Sequence, residues 1–261
     1  MQLSSISLAM TRLGFVWTPE QLFAAGEQGL IWDIPDFSTL FQDAAGTTPV
    51  TAVGQPVGKI LDKSGRGNHA TQATSTKRPL LQQDATGRYY LAFDGVDDAL
   101  ATGSIDFTAT DKMSVFAGVR KLSDAGTQII AELSDGLGSG RFYLAGPIAS
   151  GTFYQYQNTG SSGATLPTSV IAAPSTNVLT CTAAISTDLT NIRVNGAQNA
   201  TSATDQGTGN YGNYPLYIGS RGGTSLPFNG RIYSLIIRGA QSTDAQIAAA
   251  EAYCNQRTGA Y

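Results

Sequence analysis

The stretch Val178-Leu179-Thr180-Cys181-Thr182-Ala183-Ala184-Ile185, followed by Asn191-Ile192-Arg193-Val194-Asn195-Gly196, decides the class of fold. Leu179, Cys181, Ala183 and Ile185 fall on one face at a spacing of two, the period of a half-buried strand. Asn195-Gly196 then supplies two residues that tolerate positive φ, the strongest short signal for a tight β-hairpin. Outward from this pair the same grammar recurs. Arg88–Ala92, Met113–Arg120, Gln128–Leu133, Arg141–Ala145, Tyr214–Gly219 and Arg231–Ile237 read as strands, separated by clusters of Gly, Pro, Asn and Asp. No helix-length pattern lies between them, so the strands are expected to pair antiparallel in a sandwich or barrel.

Composition agrees. The 261 residues are 41% hydrophobic, enough for a core, and only 13% charged, against about 25% in an average domain. Ser, Thr, Asn, Gln and 30 glycines make up the difference, the usage of a turn-rich β protein. Sixteen basic and 19 acidic residues leave a net charge of −3, so nucleic acid has no electrostatic footprint to bind. No run approaches the ~20 apolar residues of a membrane span, and Met1-Gln2-Leu3 lacks the basic start of a signal peptide. The expected setting is manufacture in a host cytoplasm, with no membrane insertion. Two cysteines, Cys181 and Cys254, are too few for a disulfide scaffold, and both are expected as buried free thiols.

The ends of the chain read differently. Thr243 with Gln246 forms a capping box, and the alanine-rich run to Gln256 predicts a helix over 243–256 that docks by Ile247, Ala250 and Cys254 and stops at Gly259. Residues 1–28 form a separate arm, with residues 29–261 as the main domain. Thr18-Pro19-Glu20-Gln21 predicts a capped helix of about two turns, with Trp17 and Leu22 as its hydrophobic staple. Leu13, Phe15, Val16, Trp17, Leu22 and Phe23 must cover either another subunit or the chain's own sandwich.

Several segments carry a resemblance. Leu61-Asp62-Lys63-Ser64-Gly65-Arg66-Gly67-Asn68-His69 resembles the Asp-x-Ser-Gly-x-Gly-Asn turn of laminin-G-like, concanavalin-A-like jelly rolls, and Phe93-Asp94-Gly95-Val96-Asp97-Asp98 is similar to a second element of that family. Arg193-Val194-Asn195-Gly196, Tyr217-Ile218-Gly219, and Gly230–Ile237 followed by Gln241-Ser242-Thr243-Asp244-Ala245-Gln246-Ile247 resemble its later hairpin, strand and closing helix start. The resemblance implies an all-β, antiparallel two-sheet jelly-roll sandwich. Asp36–Asp43 and Gly46–Val50 further resemble tailed-phage and prophage virion proteins that carry such a domain. That likeness implies a setting, a fibre, spike or decoration protein on the particle exterior, and with no glycosidase carboxylate pattern in the chain the expectation is a non-enzymatic one. It would meet other virion proteins through residues 1–28, form a homo-oligomer, and adhere to bacterial surface polysaccharide. A glycan hydrolase or a free lectin on the same fold is the alternative.

Candidate sites follow from the same residues. Tyr154, Tyr156 and Asn158 share one face of an alternating run, and Tyr211, Asn213 and Tyr214 add rings and amides on a glycine-softened loop. Tyrosine rings and amides suit sugar hydroxyls, although packing or subunit contact is the heavier reading of the pattern. Asp94, Asp97 and Asp98 offer hard oxygens for calcium, set against a plain capped turn as the heavier reading; no other cofactor is expected. A catalytic site is not expected. His69 is a lone imidazole in a turn that Asp62, Ser64 and Asn68 can bond. Gly65 and Gly67 lack a following Lys-Ser/Thr, and Gly136–Gly140 leads into a strand rather than a helix. Glu132 and Asp135 flank Ser134 without the alternate spacing of a glycosidase carboxylate pair.

Overall fold

The computed structural model describes residues 16–136 and 138–261. Its strands are β1 (Gly29–Asp33), β2 (Leu40–Phe41), β3 (Lys59–Ile60), β4 (Ala70–Thr71), β5 (Leu80–Gln83), β6 (Tyr89–Asp94), β7 (Leu100–Asp106), β8 (Lys112–Lys121) and β9 (Ile129–Leu133). They continue as β10 (Arg141–Ala145), β11 (Gln155–Thr159), β12 (Gly163–Pro167), β13 (Ser175–Ala184), β14 (Leu189–Val194), β15 (Ala197–Ser202), β16 (Asn213–Ile218) and β17 (Asn229–Arg238), and one helix, α1 (Asp244–Thr258), closes the chain. An eight-stranded sheet runs β15-β14-β13-β8-β17-β6-β5, with β1 also on β17; a nine-stranded sheet runs β12-β11-β10-β9-β16-β7-β4-β3-β2. Every pair is antiparallel, as expected.

The Asn195-Gly196 reading holds: φ is +52° and +78°, the pair of positive values that a tight hairpin between β14 and β15 requires. Leu179, Cys181 and Ala183 point between the sheets, where they meet Val115, Ala117, Leu235 and Ile237 from the long central strands. The other face of those strands is also apolar. Phe116, Val178, Ile236 and Ile31 pack under Ile247, Ala250, Tyr253 and Cys254 of α1. The two cysteines therefore lie on opposite faces of one sheet, and both are free and buried. Helix α1 has its capping box at Thr243 and Gln246, and ends on Gly259 at φ +60°.

The N-terminal segment departs from expectation. Pro19–Phe23 is a single 3₁₀ helix, and Thr18 makes no side-chain cap bond. Leu22 and Phe23 are buried beside α1, and Trp17 meets the Tyr253 ring edge-on at 6.3 Å. Tertiary packing fixes this strap, which leaves a local cap little to add. Of the two alternatives for its apolar side chains, Trp17, Leu22 and Phe23 cover the chain's own sandwich while Val16 is exposed; Leu13 and Phe15 lie outside the described residues. The Asp62 turn clasps β1 to the body. Asp62 accepts from the N–H groups of Ile31 (2.9 Å), Ser64 (2.8 Å) and Asn68 (3.1 Å), while Asn68 Nδ2 donates to Gly29 O at 2.7 Å. His69 Nδ1 accepts from Asp62 N at 3.0 Å, a structural role.

Candidate functional site

The expected glycan contacts divide. Tyr154, Tyr156, Asn158 and Tyr211 are at most 1% exposed and cannot touch a sugar. The alternation is real, but the face it defines is the inner one. Phe142 packs against Tyr156 and Tyr211 at 5.8 and 6.4 Å. Asn158 is buried because its amide donates to Gln206 and accepts from Tyr211 Oη, so its polarity is satisfied inside. Asn213 is exposed, whereas Tyr214 is half-buried against the core, its Oη donating to Ser139 O at 3.1 Å.

The acidic turn is assembled as the sequence places it. One carboxylate oxygen from each of Asp94, Asp97 and Asp98 falls within 4.8 Å of the others. Asp94 Oδ1 accepts from the N–H groups of Val96 (2.8 Å), Asp97 (3.3 Å) and Asp98 (3.4 Å), and Asp98 Oδ2 accepts from Asp94 N at 3.1 Å. Gly95 sits at φ +75°, which the turn requires of a residue without a Cβ. Burial pushes the Asp98 carboxyl up to about 6, with Asp94 and then Asp97 adding repulsion. The hard oxygens suit calcium in kind, yet two of them already serve the turn, and Lys77 Nζ stands 3.9 Å from Asp97. The geometry supports a capped turn.

A different set of residues makes a site. Register places Glu132 on β9 directly between Tyr143 on β10 and Tyr217 on β16, and the row extends through Gln157 on β11 to Thr165 on β12. Their strand neighbours Ala131, Leu133, Phe142, Leu144, Leu216 and Ile218 point into the core, so the row lies on the outer face of the nine-stranded sheet. Glu132 is nevertheless only 1% exposed, because the loop after β16 folds over it. Arg221 Nε and Gly222 N each donate to its carboxylate at 3.2 Å. Gly222 and Gly223, at φ +58° and +74°, turn the chain for that approach. Burial raises the Glu132 carboxyl above its ordinary range, with Arg221 and the Gly222 N–H pulling the other way. The Arg221 guanidinium also lies 5.2 Å over the Tyr143 ring, whose hydroxyl accepts from Gln155 Nε2 at 2.8 Å. Beside the cluster a cavity of about 260 Å³ opens between Ser134, Asp135, Gly136, Tyr217, Arg221 and Gly222.

This arrangement can hold a hydroxylated ring against Tyr217 and offer it the charged groups of Asp135 and Arg221. The one signal for it was Glu132 itself, a lone acid in the apolar run Ile129–Leu133. Tyr143, Gln155, Gln157, Tyr217 and Arg221 gave none until register joined them.

The family model described as concanavalin A-like lectin/glucanases superfamily matches residues 93–248, more than half of the chain. The chain belongs to that family. No curated protein sequence matches it. Among solved structures this concanavalin A-like sandwich is similar to botulinum neurotoxin type C, in a study of cell entry through two ganglioside molecules, at 12% identity and a TM-score of 0.56 over 75% of this chain and 48% of that one. The binding domain of Paraclostridial Mosquitocidal Protein 1 matches at 13% and 0.56 over 78% and 51%. The Trypanosoma rangeli sialidase in complex with the inhibitor DANA matches at 14% and 0.55 over 79% and 34%. At these identities the likeness is one of fold. The chain spans about half the length of the two toxin structures.

Proposed function

We propose that the chain is a non-enzymatic structural protein of a tailed-phage particle, of fibre, spike or decoration type, that binds bacterial surface glycan. It would sit on the particle exterior, associate with other virion proteins through its N-terminal arm, and form a homo-oligomer. The setting rests on the virion-like stretches Asp36–Asp43 and Gly46–Val50. The family description, lectin/glucanases, supports a sugar partner. The observation that carries the binding role is the 260 Å³ cavity on the outer face of the nine-stranded sheet, where half-buried Tyr217 stands beside Asp135 and Arg221, with exposed Asn213 further along the same strand. A ring face flanked by Asp135 and Arg221 can stack on a sugar and bond its hydroxyls.

A hydrolase is the second reading, because Glu132 carries a raised carboxyl and Asp135 lines the same cavity. A glycosidase needs an acid and a second carboxylate free to act, and both oxygens of Glu132 are taken by Arg221 and Gly222. Calorimetric titration of the full chain with neutral host polysaccharide tests the assignment. Binding is expected, weakened about tenfold in Tyr217→Ala, the ~1.4 kcal/mol worth of a stacked ring. Unchanged affinity in that variant, or no binding across a panel of host glycans, would remove the site. Release of reducing ends, lost in Glu132→Gln, would replace adhesion with hydrolysis.

A further inference from the structure

The opposite side of the sandwich carries a second groove of about 510 Å³, on the outer face of the eight-stranded sheet past the end of α1. Three arginines line it: Arg88 just before β6, Arg120 on β8 and Arg231 on β17. Arg120 and Arg231 are direct cross-strand partners. Like charges placed directly opposite in an antiparallel ladder cost stability, and a sheet selected only to fold would carry an acid at one of the two positions. Here no acid answers them. Among the described residues, none of the three arginines takes part in an ion pair; Arg66, Arg78 and Arg141 are also outside ion pairs but donate to backbone carbonyls instead.

The groups are also held in place. Arg231 lies 4.4 Å over the Tyr90 ring, and Arg120 Nη1 donates to Thr176 Oγ1 at 2.9 Å. Arg120 Nε is buried, and Nη1 is bonded to Thr176, so the guanidinium is fixed in orientation. Arg88 rests against Gly259 at the C-terminal end of α1, where the helix dipole favours a cation; a Cβ at Gly259 would lie 2.4 Å from the guanidinium. The one acid in the lining, Asp84, spends Oδ1 on its own turn, accepting from Thr86 N at 2.8 Å and Arg88 N at 3.1 Å. The groove therefore concentrates positive charge on a chain whose net charge is −3.

We infer that this groove binds the carboxylate of an acidic saccharide, a uronate unit of a charged surface polysaccharide. A planar carboxylate matches the guanidinium fork in two parallel bonds. Gln83, Thr86 and Thr176 add an amide and hydroxyls to the lining, which suit sugar hydroxyls. Tyr90 and Tyr233 are buried beneath the arginines, so the groove lacks the open aromatic anchor that a protein partner would use. This site is separate from the face around Tyr217 and selects a different charge class of glycan.

Calorimetric titration of the full chain with trigalacturonate, maltotriose, inorganic sulfate and a Glu-rich peptide tests it. Trigalacturonate is expected to bind, more weakly as salt is added, and maltotriose not to compete for the groove. Arg120→Gln and Arg231→Gln should each weaken trigalacturonate binding about tenfold or more, the loss of one charge-assisted pair. The same variants should melt within a few degrees of the parent, since relief of the like-charge pair offsets the lost Arg231–Tyr90 stacking or Arg120–Thr176 bond. That combination separates a ligand site from a merely structural one, and Arg88→Gln at the rim repeats the test should either strand variant fail to fold. Tyr217→Ala should leave trigalacturonate binding intact, so the two faces fail or succeed independently. The inference is overturned by trigalacturonate that does not bind or binds all variants equally, by sulfate binding alone, or by the peptide binding more tightly than the saccharide.

Discussion

Asp98 shows how one side chain can work against the fold that contains it. The carboxyl is 6% exposed and is pushed up to about 6 by burial and by Asp94 and Asp97. Between pH 4 and pH 6 the folded chain therefore holds a proton that the unfolded chain has released. Stability from this group is full below about pH 4 and is lost as pH rises through 6. Asp98→Asn keeps an acceptor for Asp94 N and removes the titration. Urea unfolding is expected to find the variant more stable at pH 7, on the order of 1–2 kcal/mol, with the difference vanishing near pH 4. Equal stabilities at both values would mean that Asp98 does not resist ionisation. The acids of this turn were readable in sequence because its bonds are local. The polarity of Tyr156 and Asn158 was not. Asn158 looks wet beside Gln157, and only partners 48 and 53 residues away, Gln206 and Tyr211, make it an interior group.

Elements were legible in proportion to how much of their stability is local. Helix α1 announced itself through Thr243, Gln246 and Gly259, which act within a turn of themselves. The strands Arg141–Ala145 and Asn191–Val194 were visible by alternation, whereas the two-residue strands β2, β3 and β4 exist through pairing alone. The N-terminal strap shows the converse: its capping signal was good, yet tertiary contacts set its geometry. How α1 meets the sheet was also hidden, and Gly118 decides it. A Cβ there would lie 2.6 Å from Thr258 Cγ2 and 2.8 Å from Ser234 Oγ, so the last turn of α1 sits directly on bare backbone. Gly118→Val is expected to lift that turn and cost ~1–3 kcal/mol by overpacking. Faster amide exchange should follow in the last turn of α1 and leave β9–β11 unaffected; a uniform change across the protein would argue against a local displacement.

At the scale of the molecule, two sheets enclose one core and leave two outer faces with different chemistry. The nine-stranded sheet presents a ring beside Asp135 and Arg221, and the eight-stranded sheet presents arginines where α1 does not cover it. A particle that repeats such faces multiplies weak contacts by avidity, which makes oligomeric state the property that converts either face into adhesion. The arm proposed for assembly is residues 1–28, but Leu22 and Phe23 belong to the layer beneath α1. Deleting all 28 residues would expose that layer, and any change in association would confound lost assembly with lost packing. The informative truncation starts the chain at Val16, which removes only the residues before the strap. Light scattering is expected to find the full chain as an oligomer and the shortened chain as a monomer, with the thermal midpoint of the shortened chain at high dilution within a few degrees of the parent. A full chain that is already monomeric, or a shortened chain that keeps the full assembly, would take the arm out of the account and remove the proposed route to avidity.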